Sequence, residues 1–442
     1  MLPDYIRKAR PNPPANRAPW YKNTAPSYAG IFLWVAFYQA IAQGTLERGG
    51  PWVCLLGLVV AGLASFALYY YVPAMLGMKT GYPLYVVGSS TFGTKGGYVM
   101  PGLLMGVLQV GWYSVSTFIA SRFILSGLGG EAAPMAPAFA VAAILWGYIM
   151  AYVGVKGIQY VARMATWLSI VPMVMILIVF AKTAGGIGAY TVARPEPFLA
   201  FALILQIVIG FFATAGAAGA DFGMSSRDGR DVRLGGLTGI ALAIVYAGGL
   251  PLLSVAGANG LNPAFQSYTY DSVLMSLGGF LASSMFLLFA LASIPSACFC
   301  AFVAGNSFST MIPAVSRMVS TMVAVTVAIA LAITGVAENL ILFFSIVGAS
   351  FGPICGAMMA DYLLAGRKWA GPRRGVNLAG YAAWAAGFVV GILPFLPLSE
   401  QVKNYAQPAA LYSLVAGFAV YWLLAKVGLE PEVVALDEGR SS

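Results

Sequence analysis

Charged side chains are spaced along this chain so that twelve charge-free gaps hold eighteen or more residues, beginning with 23–46 and ending with 404–425. A helix that crosses a bilayer needs about 20 mostly apolar residues. A charge inside hydrocarbon costs several kcal/mol, so gaps of this length recurring so often predict membrane spans. The pattern places them roughly at 28–46, 52–77, 98–127, 133–155, 158–183, 198–222, 234–258, 276–304, 312–336, 338–365, 376–397 and 408–428. The apolar runs are continuous, whereas a barrel strand would alternate in segments of about ten residues, so the spans are predicted to be helices. Connections are short. The longest outer one, 259–275, is polar enough to act as a gate or lid.

Composition supports this reading. Hydrophobic residues make up 60% of the chain, charged residues 9%, and the mean hydropathy is +0.82. Soluble domains carry roughly 25% charged residues, which a water-facing surface requires. One continuous all-α membrane bundle is therefore expected in place of several soluble domains. Residues 1–27 are polar, basic and proline-rich, without the apolar core of a cleavable signal peptide; they read as a cytoplasmic tail, as do 429–442.

Charge sets the orientation. With the N-terminus inside and the sides alternating, Arg48, Arg122, Lys182, Arg194 and Lys403 fall outside, and the other nineteen of the 24 Lys and Arg fall inside. The excess has the sign of the positive-inside rule. It predicts a multi-pass protein of the cell (inner or plasma) membrane with both termini cytoplasmic. It also accounts for the net charge of +9 without a nucleic-acid partner.

The chemistry offered is that of binding. Histidine is absent, and no acid lies near the middle of a span. Asp221 and Asp361 sit at inner span ends in the matching tripeptides ADF (220–222) and ADY (360–362), where they read as anchors. Ser and Cys have no His base to activate them, and no carboxylates cluster for a metal. An enzyme is not expected. The four cysteines all fall inside predicted spans, without metal-ligand spacing. The polar groups within spans are Gln39, Gln43, Gln109, Gln206, Ser293 and Ser296. Gln109 and Trp112 are three apart and share a helix face. An amide offers donors and an acceptor, and an indole offers a stacking plate, a pair suited to a flat, neutral heterocycle. Trp112 alone would read as a packing or lipid-facing residue, and both readings stand at this point. Gly210, mid-span with Gly and Ala following it, is the best candidate for a helix break; Pro295 in LASIPSACFC marks a second disturbed turn.

These residues carry a resemblance. MLGMKTGYPLYVVGSSTFGTKGGYVMPGLLMGVLQVGWYSV (75–115), QGTL (43–46), AGADF with Arg227 and Arg230 downstream, and GPICGAMMADYLLAGRK (352–368) together resemble the cytosine permeases of the nucleobase–cation symporter-1 family. The resemblance implies two inverted five-helix repeats, over 28–183 and 198–365, plus two peripheral helices over 376–428, in a leucine-transporter-like architecture. Substrate and ion would then meet at the midplane, where spans one and six are broken. It carries base contacts onto Gln109 and Trp112 and the broken span-six segment onto Gly210, Phe211 and Phe212, with Phe212 stacking on the second face, and Ser296 of span eight joins the expected substrate contacts. Phe211 stands where cytosine permeases have a small polar residue.

For a coupling cation, the resemblance carries span-one carbonyls onto Phe32 and Val35 and a span-eight hydroxyl onto Ser296, with Ser293 one turn away. Position 295 is proline where a second hydroxyl is expected, and Ala292 stands where an Asn is expected. Sodium needs about five or six oxygens, by analogy with other hard cations. The SIPS segment is closer to the IPN stretch of fungal purine–cytosine permeases, which resemble proton symporters, so Na+ and H+ both remain open. The expected function is cation-coupled import, by alternating access, of a nucleobase or related heterocycle: a cytosine-like pyrimidine, a purine, or a hydantoin- or vitamin-like analogue. No cofactor is expected beyond the coupling ion, and the expected partners are substrate, ion and lipid around a monomer. The alternatives are an amino-acid or amine carrier of the same fold, and a non-transporting membrane receptor or sensor. Span one lacks the central glycine pair of the former, and neither tail is long enough for the latter's output domain.

Overall fold

The computed structural model describes residues 2–436, with the side chains of 157–166 outside that description. The expectations for Arg163 and Arg440 therefore fall outside the described residues. Among the described residues, ten helices are long and apolar enough to cross a membrane: Leu46–Thr80, Gly96–Leu128, Pro137–Lys156, Ile170–Ala189, Pro197–Ala217, Gly229–Leu261, Gly279–Met311, Leu340–Leu364, Leu378–Phe395 and Ala409–Lys426. Arg317–Ile333 is a shorter apolar helix. One further segment is split into Thr24–Phe32 and Val35–Tyr38. Counted in chain order, the split segment is span one and Arg317–Ile333 is span nine, which completes the twelve expected.

The departures from expectation lie at span ends and have local causes. Span one stops being helical at Tyr38, and Gln39–Thr45 runs as turns. Gly50, at φ +67°, kinks the entry to span two just before Pro51, which has no N–H to continue a helix. Span seven starts at Gly229, earlier than the charge pattern suggests, because Asp228 caps it by accepting the Asp231 N–H at 2.8 Å. Span eight is two helices, Gly279–Ala292 and Ile294–Met311, interrupted at Ser293 beside Pro295.

The break expected at Gly210 is corrected. The span-six helix runs unbroken from Pro197 to Ala217 and turns only at Ala218, before the short helix Gly219–Gly223. Gly210 serves a different purpose, because a Cβ there would lie 2.5 Å from the Phe344 carbonyl oxygen. Its missing side chain lets spans six and ten approach closely, as small residues do where lipid provides no hydrophobic drive between helices.

The two ends of the chain are built into the bundle. Leu2, Tyr5 and Ile6 are buried against Met311 of span eight and against Val434 and Leu436. The Tyr5 hydroxyl donates to the Thr94 carbonyl at 2.8 Å. Farther along, Asn12 Nδ2 donates to the Met224 carbonyl at 3.0 Å and Asn23 Nδ2 to that of Phe222 at 3.1 Å. The segment read as a simple polar tail thus lies across the end of span eight and the turn after span six. Its prolines limit it to short helical pieces, Asp4–Arg7, Pro14–Asn16 and Trp20–Lys22, while its Asn side chains find carbonyls that helix ends leave free.

Candidate substrate-binding site

Span one is interrupted where Trp34 adopts an extended backbone, φ −72° and ψ 129°. Across this break the Phe32 carbonyl accepts no backbone N–H among the described residues, and the chain re-enters helix at Val35. An interruption of this kind is tolerated in a bilayer only where protein or a polar cavity surrounds it.

Around the break the structure assembles a buried aromatic cluster. The Trp112 ring meets Phe211 edge-on at 5.0 Å between centroids and Phe343 at 4.8 Å, and it stacks on Phe344 at 5.6 Å. Phe211 meets Phe37 at 4.9 Å and Phe344 at 5.2 Å. Phe212 stacks on Phe32 at 5.6 Å and lies 5.7 Å from Tyr28. Trp34 faces Trp112 at 5.8 Å. Edge-to-face and offset packing of this sort adds about 0.5–1.5 kcal/mol per pair beyond the area buried. The indole of Trp112 is held by its Nε1–H donating to Thr214 Oγ1 at 3.1 Å, which orients the plate from span six.

Four of the residues singled out from the sequence, Phe32, Trp112, Phe211 and Phe212, therefore meet in space. Gln109 sits a turn away on the same face as Trp112, half-buried, with Nε2 directed to Met105 Sδ at 3.7 Å. A thioether is a weak acceptor, so the amide retains most of its capacity for a ligand. The other span glutamines divide differently. Gln206 is committed to packing, donating to Ser345 and accepting from the Ala410 N–H. Gln43 is exposed. Gln39 anchors a lid: its side-chain oxygen accepts the Asp271 N–H at 3.2 Å and its carbonyl accepts the Tyr270 N–H at 3.1 Å.

That lid is the helix Tyr270–Leu277, within and just beyond the loop expected to gate the outer side. Arg122 of span three fastens it, pairing with buried Asp271 at 3.0 Å and with Glu338 at 2.8 Å. Tyr270 of this helix meets Tyr38 edge-on at 5.1 Å, next to Phe37 of the aromatic cluster.

The hydroxyls expected to face a cation are turned onto their own helix. Ser293 Oγ donates to the Phe289 carbonyl at 2.9 Å, and Ser296 Oγ donates to the Ser293 carbonyl at 3.0 Å. Each keeps its lone pairs, since a hydroxyl donates one hydrogen and accepts at two positions. The expected donor set is two hydroxyls plus the carbonyls of Phe32 and Val35, the latter also accepting the Gln39 N–H at 2.9 Å. Four oxygens fall short of the five or six a hard cation takes.

At the inner end, Asp221 follows the turn at Ala218 and accepts the Leu84 N–H at 3.4 Å. Burial pushes its carboxyl up to about 6, against the pull of that N–H.

Sequence reasoning missed Trp34, Phe37, Thr214, Phe343 and Phe344. Aromatic residues within apolar spans carry no signal that separates a binding wall from packing, and only the folded chain shows which of them converge.

The match to known proteins agrees with this geometry. Residues 11–417 match the family described as permease for cytosine/purines, uracil, thiamine, allantoin. Among curated proteins, no sequence matches the chain. Among solved structures, the chain is similar to Mhp1, a nucleobase–cation-symport-1 family transporter. Against its closed conformation with bromovinylhydantoin bound, the TM-score is 0.67 and the identity 16%, covering 97% of this chain and 98% of that one. Against its inward-facing conformation the TM-score is 0.68 at 16% identity, covering 99% and 98%. A Na+-coupled sialic acid symporter in a substrate-bound outward-open state follows at 0.61 and 13% identity, covering 98% and 93%. At such identities the likeness shows the fold alone, and that fold is the transporter architecture the resemblance implied.

Proposed function

The chain belongs to the family of permeases for cytosine/purines, uracil, thiamine and allantoin, and we propose that it imports a flat nucleobase-like heterocycle by alternating access around the aromatic cluster of spans one, three, six and ten. The observation that carries this reading is the placement of the Trp112 plate against Phe211 at the break of span one, with the Gln109 amide a turn away. Aromatic faces sandwich a planar ring, and an amide reads an edge that carries both a donor and an acceptor.

Entry of a ring requires the cluster to open, because these aromatic side chains now occupy one another's faces. Phe211 is the wedge: it touches Trp34, Phe37, Trp112 and Phe344. In the substrate-loaded state the ring takes the place of an aromatic contact that Trp112 now makes with its neighbours. The lid then parts from Gln39 to admit substrate from outside, and the N-terminal segment parts from the inner span ends to release it. A cation is the proposed coupling partner, with the Phe32 and Val35 carbonyls and the Ser293 and Ser296 hydroxyls as its protein ligands. Water or the substrate must complete that shell. The proposed setting is the cell (inner or plasma) membrane, both termini cytoplasmic, the protein acting as a monomer.

The test is a thermal-shift panel on purified protein with cytosine, uracil, a purine, hydantoin, allantoin and a thiamine-like pyrimidine, each with and without sodium. At least one member should raise the unfolding midpoint, and sodium should enlarge that shift if it is the coupling ion. A flat response across the panel would sink the heterocycle reading. Gln109→Ala should weaken the bound member about ten-fold or more, the loss expected when a ligand's polar edge is left without its partner. Unchanged affinity would remove Gln109 from the site.

A further inference from the structure

Trp34 is 7% exposed, and its indole Nε1 has no hydrogen-bond partner among the described residues. A buried N–H left unpaired costs about 1–3 kcal/mol. A hydroxyl relieves such a cost by rotating, but an indole N–H is fixed in the plane of its ring. Other well-covered indoles are paired: Trp112 with Thr214 Oγ1 at 3.1 Å, Trp369 with the Val87 carbonyl at 2.9 Å, and Trp384 with the Ser350 carbonyl at 3.0 Å. Trp146 is the one other buried indole without a partner among the described residues, and it belongs to a separate apolar cluster with Tyr113 and Ile329. Trp34 differs from it by its location. It occupies the interruption of span one, 5.8 Å from the Trp112 ring and 6.5 Å from Phe211, against the two aromatic rings at the heart of the proposed site.

We propose that Trp34 is a specificity-determining residue whose indole N–H is reserved for an acceptor on the bound heterocycle, either a ring carbonyl oxygen or an unprotonated ring nitrogen. The inference rests on the heterocycle reading and deepens it. An indole only donates, whereas the Gln109 amide both donates and accepts. The two together select rings that present an acceptor to Trp34 and a mixed edge to Gln109. A ring that turns an N–H toward Trp34 sets donor against donor and is rejected, in the way a buried polar group left unpaired discriminates between close analogues.

The unpaired donor also means that the site is optimised for the loaded state at the expense of the empty one. That separates the proposal from a purely structural role. Trp34→Phe keeps the ring packed against Trp112 and Phe211 and removes the N–H. The ligand-free variant should unfold at the same temperature as the wild type or higher, because an unsatisfied group is gone. Its affinity for the panel member bound best should fall about ten-fold, equivalent to about 1.4 kcal/mol. Its preference for that ligand over the analogue lacking the acceptor should collapse toward unity. Trp146→Phe, which removes the other unpaired N–H, should leave affinity unchanged. A ligand bound equally well by the wild type and Trp34→Phe overturns this inference alone, as does a Trp34→Phe protein less stable than the wild type without ligand. A panel with no binder overturns the heterocycle reading, and this inference with it.

Discussion

Spans six and ten end alike in sequence and unlike in structure. Ala220-Asp221-Phe222 follows one and Ala360-Asp361-Tyr362 closes the other. Asp361 is 3% exposed and saturated: Arg373 Nη1 approaches one oxygen at 2.8 Å, while the Ser90 and Thr91 hydroxyls donate to the other at 2.6 and 3.0 Å. Arg373 continues to Glu430 at 3.0 Å, and Glu430 accepts the Tyr421 hydroxyl. The end of span ten is thereby fastened to the segment after span two and to the C-terminal residues. Among the described residues, Asp221 has one long bond, from the Leu84 N–H, and no cation beside it. The matching tripeptides yield a strut in one place and a loosely held end in the other. For the alternating access proposed above, that division would let one of these two span ends stay put while the other moves.

The largest expected effect comes from breaking the strut. Arg373→Met leaves Asp361 buried without its counter-charge, and breaking a buried pair from one side costs about 3–5 kcal/mol. Chemical or thermal unfolding in detergent should register a loss of that order. A loss below about 1 kcal/mol would mean the two ends are held equally loosely.

The second effect is a pH dependence that belongs to Asp221. Its folded pKa stands above the ordinary carboxylate value, at about 6, because burial disfavours the charged form. Such a group contributes its full stability below the unfolded value and loses it as the pH rises through the folded one. Wild-type stability should therefore decline between about pH 4 and pH 7 by about 1 kcal/mol, discounting the shift for the part of Asp221 that water reaches. Asp221→Asn should flatten that decline, and Asp361→Asn should leave it in place. A decline that persists in Asp221→Asn would remove the distinction between the two acids.

The smallest effect refines the comparison. Asn23→Ala removes the bond from the N-terminal segment to the Phe222 carbonyl, next to Asp221, at a cost of about 0.5–1.5 kcal/mol. Admitting water there should also shift the pH step of the preceding experiment toward lower pH. A stability loss with no shift of the step would place the segment's seal elsewhere.

The spans were legible because an unpaired charge in hydrocarbon is costly, and the gaps between charges therefore trace the bilayer. Pro295 announced the interruption of span eight for an equally local reason, its missing N–H. Gly210 misled, since glycine in a membrane helix marks a break or a close approach with the same letter, and only the Phe344 carbonyl 2.5 Å from where its Cβ would stand decides between them. The Gln109–Trp112 face was readable from spacing. Trp34 was not, because its significance lies in a partner it lacks, and no spacing rule registers a missing contact. The opposite treatment of Asp221 and Asp361 was equally hidden: Arg373 lies twelve residues beyond Asp361 and returns to it by folding.

One clasp joins Leu2, Tyr5 and Ile6 to Val434 and Leu436, and residue 433 pairs with Arg373. Residues near one end of the sequence are thus held by residues far along it. Domains generally mature in the order of synthesis, but this seal has to wait until residues 434–436 have been made. Until then, the Asn12 and Asn23 bonds hold the N-terminal segment without it. An affinity tag or fluorescent protein fused directly after residue 436 would load the clasp itself, so a functional assay on such a fusion reports on the seal as much as on the site.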